Sequence, residues 1–223
     1  MLYANDVQIR KILESVEDLG IDKKLIQENC AVKLVRNLQL ETRDTFAIVA
    51  AVTEKGLIGL KVARLLAAYG KKVSVYLLGD LSAASDDFKQ ELKILKNLDI
   101  IYTDLNYLEE MDRFTENLRK VNTVIDAMLG AGTEGFPPGA YEYIASCINR
   151  SRIYTVAIDV PTGLNTETIN YQQTIVEAHL VVVFQFMKKN LLEDKRLEGS
   201  RIVIENVGIP AQAYKYIIDQ KKL

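Results

Sequence analysis

Apolar positions recur at helical spacing over residues 4–17 (Val7, Ile9, Ile12 and Leu13) and 23–37 (Leu25, Ile26, Val32 and Val35), which predicts two helices. Residues 46–52 form a continuous apolar run of strand length. Lys55 and Gly56 then read as a loop, and residues 57–69 as a helix that stops at Gly70. The unit repeats as strand 72–78, helix 83–97, short strand 99–102, helix 107–119 and strand 123–129. After a loop rich in glycine and proline come a helix at 140–149 and strands at 153–158, 179–184 and 201–205. Strands apolar on both faces and separated by helices require crossover connections. The predicted fold class is therefore α/β: a three-layer αβα, Rossmann-like domain with a mostly parallel central sheet. One domain of 223 residues is expected, with N-terminal helices within 4–37, an α/β core at 45–207 and a helical segment at 210–219. In open sheets of this kind ligands bind beyond the carboxyl ends of the strands, so the loops after strands hold the candidate chemistry.

Composition narrows that chemistry. A hydrophobic share of 48% and a charged share of 26% describe a chain able to bury a packed core. Lys and Arg total 28 against 30 Asp and Glu, a balance that argues against a basic nucleic-acid surface. A single histidine, His179, excludes multi-histidine metal sites, and two cysteines, Cys30 and Cys147, cannot build a four-thiolate zinc site. The cysteines read as small buried hydrophobes, with a disulfide between them as the alternative. Residues 1–10 carry charge early without an apolar signal region, and the longest apolar runs are far shorter than a bilayer span. A cytoplasmic protein with no membrane association is expected.

Gly130-Ala131-Gly132-Thr133-Glu134-Gly135 matches G-x-G-x-x-G, and Asp159 stands 24 residues beyond Gly135, as in a dinucleotide fingerprint with its ribose-binding acid. The context differs, because Phe136-Pro137-Pro138-Gly139 follows at once and the prolines delay any helix. These glycines read as a longer loop whose amides surround an anion, which disfavours a conventional NAD-dependent dehydrogenase. Asp126, inside an apolar run near a strand end, is either a satisfied carboxylate capping local amides or a partly desolvated acid/base or cation ligand. Asp159-Val160-Pro161-Thr162-Gly163 ends the next strand in a tight turn presenting the Asp159 carboxylate and the Thr162 hydroxyl. Lys188 and Lys189 follow strand 179–184, Lys189 as a solvated side chain, and His179 reads as structural rather than catalytic.

On these residues nearly the whole chain resembles the YjeF N-terminal domain family, the NAD(P)H-hydrate epimerases. Ile26-Gln27-Glu28-Asn29-Cys30-Ala31 is similar to the family's Met-Glu-Asn-Ala helix segment. Asp126-Ala127-Met128-Leu129-Gly130-Ala131-Gly132 is similar to its Asp-Ala-Leu-Phe-Gly-x-Gly. Ala157-Ile158-Asp159-Val160-Pro161-Thr162-Gly163 looks like Ala-Ile-Asp-Ile-Pro-Ser-Gly, and Val207-Gly208-Ile209-Pro210 like the closing segment. The resemblance implies a homodimer that interconverts the R and S epimers at C6 of hydrated NADH or NADPH (NADHX, NADPHX), in partnership with a separate NAD(P)H-hydrate dehydratase. It implies that Gly130, Ala131, Gly132, Thr133, Glu134, Gly135 and Phe136 line the dinucleotide phosphates together with Gly56, and that Asp159 binds substrate. It also implies a potassium ion held by Asp126 and Thr162. Epimerisation at C6 proceeds by losing and regaining water through a cation delocalised onto the ring nitrogen, which needs an acid and a carboxylate field. Asp126 is the candidate acid, and Lys188 the residue that orients substrate or adjusts that acid.

One segment departs from the pattern. The family's first strand runs into Gly-Pro-Gly-Asn-Asn-Gly-Gly-Asp-Gly-Leu, whereas this chain reads Ala51-Val52-Thr53-Glu54-Lys55-Gly56-Leu57-Ile58-Gly59-Leu60. Leu57 and Ile58 add bulk and remove polar contacts from the phosphate cradle. Lys55 stands in the place of an asparagine that would contribute to the potassium site. Either its ammonium reaches Asp126 and Thr162 and replaces the metal, or Glu54 and Lys55 form a solvated pair on a decayed site. The second course corresponds to the alternative function, a catalytically degenerate nucleotide-binding or protein-interaction module. With no second domain after Leu223, dehydration is expected from another protein.

Overall fold

The apolar run at 46–52 becomes β1 (Thr45–Ala51), an interior strand of the sheet in a computed structural model that describes residues 2–130, 138–166 and 168–218. Alternate β1 side chains serve opposite faces, as a pleated strand requires. Phe46, Ile48 and Ala50 join a core with Leu34, Leu60, Ala63 and Leu66, while Ala47, Val49 and Ala51 join another with Phe114, Ile144 and Ile148. The remaining strands are β2 (Lys72–Leu78), β3 (Tyr102–Asp104), β4 (Thr123–Ala127), β5 (Tyr154–Ile158), β6 (Leu180–Phe184) and β7 (Arg201–Glu205). Their order is β3-β2-β1-β4-β5-β6-β7 and every pairing is parallel. The order reverses between β1 and β4, which opens a crevice at the carboxyl edge there.

The helices are α1 (Asp6–Asp18), α2 (Lys23–Arg36), α3 (Glu54–Ala68), α4 (Asp86–Asn97), α5 (Leu108–Leu118), α6 (Pro138–Ser151), α7 (Asn190–Glu193) and α8 (Lys215–Ile218). Side chains fix several starts: Asn5 and Gln8 form a capping box on α1, and Asp22, Thr53 and Ser85 cap α2, α3 and α4. The helical segment expected at 210–219 is a short turn at Ala211–Ala213 followed by α8, which packs on α1. Among the described residues no helix is long and apolar enough to cross a membrane.

Several boundaries differ from the sequence reading by one to three residues, and three of these shifts have a clear local reason. Lys55 and Gly56 lie in the first turn of α3 rather than in a loop, because the Gly56 N–H donates to Thr53 Oγ1 at 3.0 Å and the Leu57 N–H to the Thr53 carbonyl at 2.9 Å. β3 starts at Tyr102 rather than at 99, since Asp99 (φ +58°) and the Ile100 N–H, bonded to the Leu95 carbonyl, close α4. α6 starts at Pro138 rather than at 140, and a proline at the first helical position loses no hydrogen bond.

Gly56 allows α3 to begin directly off β1. A Cβ there would lie 1.8 Å from the Ala51 carbonyl oxygen. Gly56→Ala is expected to destabilise the fold by about 2–3 kcal/mol, read as a lower urea midpoint; an unchanged midpoint would show that the strand-to-helix junction is not tight.

Candidate active site

The ends of β1, β4, β5 and β6 and the start of α3 bring two different clusters together, one sealed and one open. The sealed cluster centres on Asp126, the penultimate residue of β4, which has no exposed surface. Its Oδ1 accepts from Thr162 Oγ1 at 2.5 Å and from the Met128 N–H at 3.2 Å; its Oδ2 accepts from the Thr162 N–H at 2.7 Å and from Lys55 Nζ at 3.0 Å. Lys55 Nζ also donates to the carbonyls of Val160 at 2.8 Å and Leu129 at 3.1 Å, and stands 3.4 Å from Thr162 Oγ1. Burial pushes the Lys55 pKa below its ordinary value, while Asp126 and then Asp159 oppose that shift. The surroundings select the charged form, because an ammonium has only donors to offer to four oxygens and a neutral amine would turn its lone pair on one of them.

This cluster corrects one alternative offered by the sequence and places one candidate residue away from the cavity. The solvated Glu54–Lys55 pair does not form: Lys55 is 6% exposed, and Glu54 instead meets Lys23 at 3.2 Å and the Gln27 amide at 2.6 Å. Asp126, expected as the catalytic acid, faces inward with both oxygens engaged, and it is absent from the described lining of the cavity next to it. In register between Val49 and Ala157 on a central strand, its side chain meets the Pro161–Gly163 turn and Lys55 instead of the crevice.

The potassium ion implied for Asp126 and Thr162 does not fit these residues. Lys55 Nζ already occupies the space between the oxygens that would hold it and carries the charge that balances Asp126. A second cation about 4 Å away would be repelled by roughly 4 kcal/mol at an effective dielectric near 20.

The open cluster is a cavity of about 500 Å³ between the carboxyl edge of the sheet, α1, α2 and the segment after β7. That volume lies within the usual range for small-molecule sites. Its walls are mainly apolar, with Ile9, Ile12, Ile26, Ile58, Phe184, Phe186 and Ile209. Asp159 and Lys188 meet in its lining. Asp159 follows β5 with φ +60°, and its Oδ1 accepts from the Phe184 N–H at 3.0 Å and, in a close contact, from Lys188 Nζ. Lys188 is 2% exposed. Gln185 (φ +62°) turns the chain after β6, and Met187 pairs with Tyr3, its N–H donating to the Leu2 carbonyl at 2.9 Å. The N-terminal strap thereby fixes the residue next to Lys188.

Gly130 also lines the cavity, whereas Ala131, Gly132, Thr133, Glu134, Gly135 and Phe136 lie outside the described residues. Gly56 does not line it; packing against Ala51 is its role, and Thr53, Glu54, Lys55 and Ile58 form that part of the wall. Leu57 turns into the core, so only Ile58 adds bulk to the crevice and the cavity remains open. His179 sits at the opposite, amino edge of the sheet, where its Nδ1 accepts from the Thr155 N–H at 3.1 Å, and Lys189 is solvated near Glu193.

Sequence reasoning missed the contribution of α1 and α2. Arg10, Lys23, Gln27 and Cys30 all line the cavity. Gln27 is 6% exposed; its Nε2 donates to Glu54, which fixes the amide orientation, and its Oε1 has no partner among the described residues. An unpaired acceptor in a cavity wall is costly until a donor arrives. The available signal was a polar residue on the buried side of α2, between Ile26 and Cys30. Burial and then Asp159 push the Cys30 thiol up, so it lines the wall as an uncharged group.

The family model described as YjeF-related protein N-terminus matches residues 24–190. A protein of Anaerococcus prevotii named NAD(P)H-hydrate epimerase is 32% identical over 219 residues, covering 98% of this chain and 100% of that one. One of the same name from Levilactobacillus brevis is 31% identical over 198 residues and 87% of each chain. Among solved structures, the yeast protein ynu0 superposes with a TM-score of 0.73 at 16% identity, covering 92% of this chain and 87% of that one, a likeness of fold.

Proposed function

Because this chain belongs to the YjeF-related N-terminal family, we propose that it is an NAD(P)H-hydrate epimerase interconverting the R and S epimers of hydrated NADH and NADPH. The observation that carries this reading is the Asp159–Lys188 pair in the lining of an apolar cavity at the carboxyl edge of the sheet. The apolar walls suit the uncharged reduced ring. Lys188 donates a proton to the hydroxyl on C6, the C–O bond breaks and water leaves. The resulting cation, shared with the ring nitrogen, is held by the Asp159 carboxylate, whose field is stronger for being surrounded by hydrocarbon. Water then adds to the other face and its proton returns to Lys188, so atoms and charge balance over the cycle.

Arg10 and Lys23, at the cavity rim, suit the pyrophosphate, and the Gln27 Oε1 suits a donor such as an amide or a ribose hydroxyl. Gly130, which lines the cavity, begins the sequence segment assigned to the phosphates. No step is assigned to potassium, since Lys55 supplies the cation beside Asp126 and Thr162. The reading includes a homodimer, for which the exposed Leu25 and Val32 on one face of α2 offer an apolar surface. It also includes a separate dehydratase that consumes one epimer, and a cytoplasmic setting consistent with the free thiols of Cys30 and Cys147. The Asp159–Lys188 pair in the cavity lining favours this enzyme over a degenerate binding module.

The test mixes purified protein with a single NADHX epimer and follows the ratio of epimers by chromatography. Wild-type protein is expected to bring the mixture to equilibrium well ahead of buffer; equal rates would reject the epimerase and leave the binding module. Gln27→Leu is expected to raise KM about 3- to 10-fold with kcat kept, the value of one hydrogen bond.

A further inference from the structure

We propose that Lys55 is a resident monovalent cation, a tethered ammonium filling a four-oxygen cage that its removal would convert into a potassium site. The cage consists of Asp126 Oδ2 at 3.0 Å, the Val160 carbonyl at 2.8 Å, the Leu129 carbonyl at 3.1 Å and Thr162 Oγ1 at 3.4 Å. One carboxylate, two carbonyls and a hydroxyl form the kind of all-oxygen shell that replaces the water around a bare monovalent ion.

The position of Lys55 is otherwise unfavourable. It lies in the first turn of α3, where the helix dipole repels a cation, and it is nearly fully buried, where desolvation does the same. Only the oxygen cage offsets both. Glu54, Lys23 and Gln27 form their own contacts on the outer side and leave Nζ to the cage. The ammonium joins three elements, the start of α3, the end of β4 and the turn after β5, and its covalent tether makes that joint independent of the salt around the protein. This inference concerns the cage alone and does not rest on the epimerase reading, so its test needs no substrate.

Thermal unfolding of the full chain is compared in potassium, sodium and choline chlorides at equal ionic strength, with calorimetric titration of potassium chloride. Wild-type protein is expected to melt at the same temperature in all three and to bind no potassium. Lys55→Asn is expected to melt about 10 °C lower in choline, and to recover part of that difference in potassium with saturable binding. Potassium-specific stabilisation of the wild type overturns the proposal, and so does a Lys55→Asn protein that melts identically in every chloride. Should that variant fold in none of them, the wild-type titration decides: bound potassium overturns the proposal and its absence upholds it.

Discussion

Lys188→Met is expected to lower the epimerisation rate constant by about 10²- to 10⁴-fold, the usual contribution of a positioned proton donor. Methionine keeps the length and apolar stem of a side chain that is 2% exposed, so loss of packing does not account for a decrease of that size. Asp159→Asn should produce a loss of similar order, since the amide still offers an oxygen to the Phe184 N–H but no longer a charge to the cation at C6. The measurement is the approach to equilibrium from one epimer, with melting temperature and circular dichroism as controls for the fold. A solvent deuterium isotope effect on the rate distinguishes proton transfer from mere positioning: it should shrink in Lys188→Met. Rates within about threefold of wild type in both variants would remove the pair from the chemistry.

Asp126→Ala is expected to destabilise the fold by about 3–5 kcal/mol, because it leaves the Lys55 ammonium buried without its counter-charge. The Thr162 N–H, the Thr162 hydroxyl and the Met128 N–H lose their acceptor as well. Urea unfolding measures this directly, and the double variant Lys55→Met with Asp126→Asn should recover part of the loss, since no unpaired charge then remains. The comparison also decides between the two aspartates. Loss of stability with epimerisation retained in the folded fraction fits a structural Asp126. Full stability with activity abolished would restore Asp126 as the acid and displace Lys188 from that role.

The fold was legible because its signals are local. Hydrophobic period marks helices and strands residue by residue, and all seven strands lie at or within about three residues of the predicted segments. The boundaries that moved depend on contacts the period does not contain: the Thr53 cap that draws Lys55 into α3, and the turn at Asp99. Asp159, Lys188, Gly130, Asp126, Thr162 and Lys55 were all legible as members of strand-end segments. Their division into two clusters was not.

The sequence by itself determined the three-layer α/β class, the parallel crossovers and the set of polar groups gathered at the carboxyl edge, because strand period and glycine-proline punctuation are properties of neighbouring residues. Only the tertiary structure decided which carboxylate is sealed and which is presented. Asp126 and Asp159 both stand near the carboxyl ends of neighbouring strands, yet Asp126, inside β4, is held between Lys55 and Thr162 while Asp159, just beyond β5 at φ +60°, turns to Lys188 and the cavity. The same is true of Gln27, whose role depends on α2 closing over residues far along the chain. Side-chain direction at a strand end is set by the turn and by the elements packed above it, and those contacts join distant parts of the chain that no local pattern specifies.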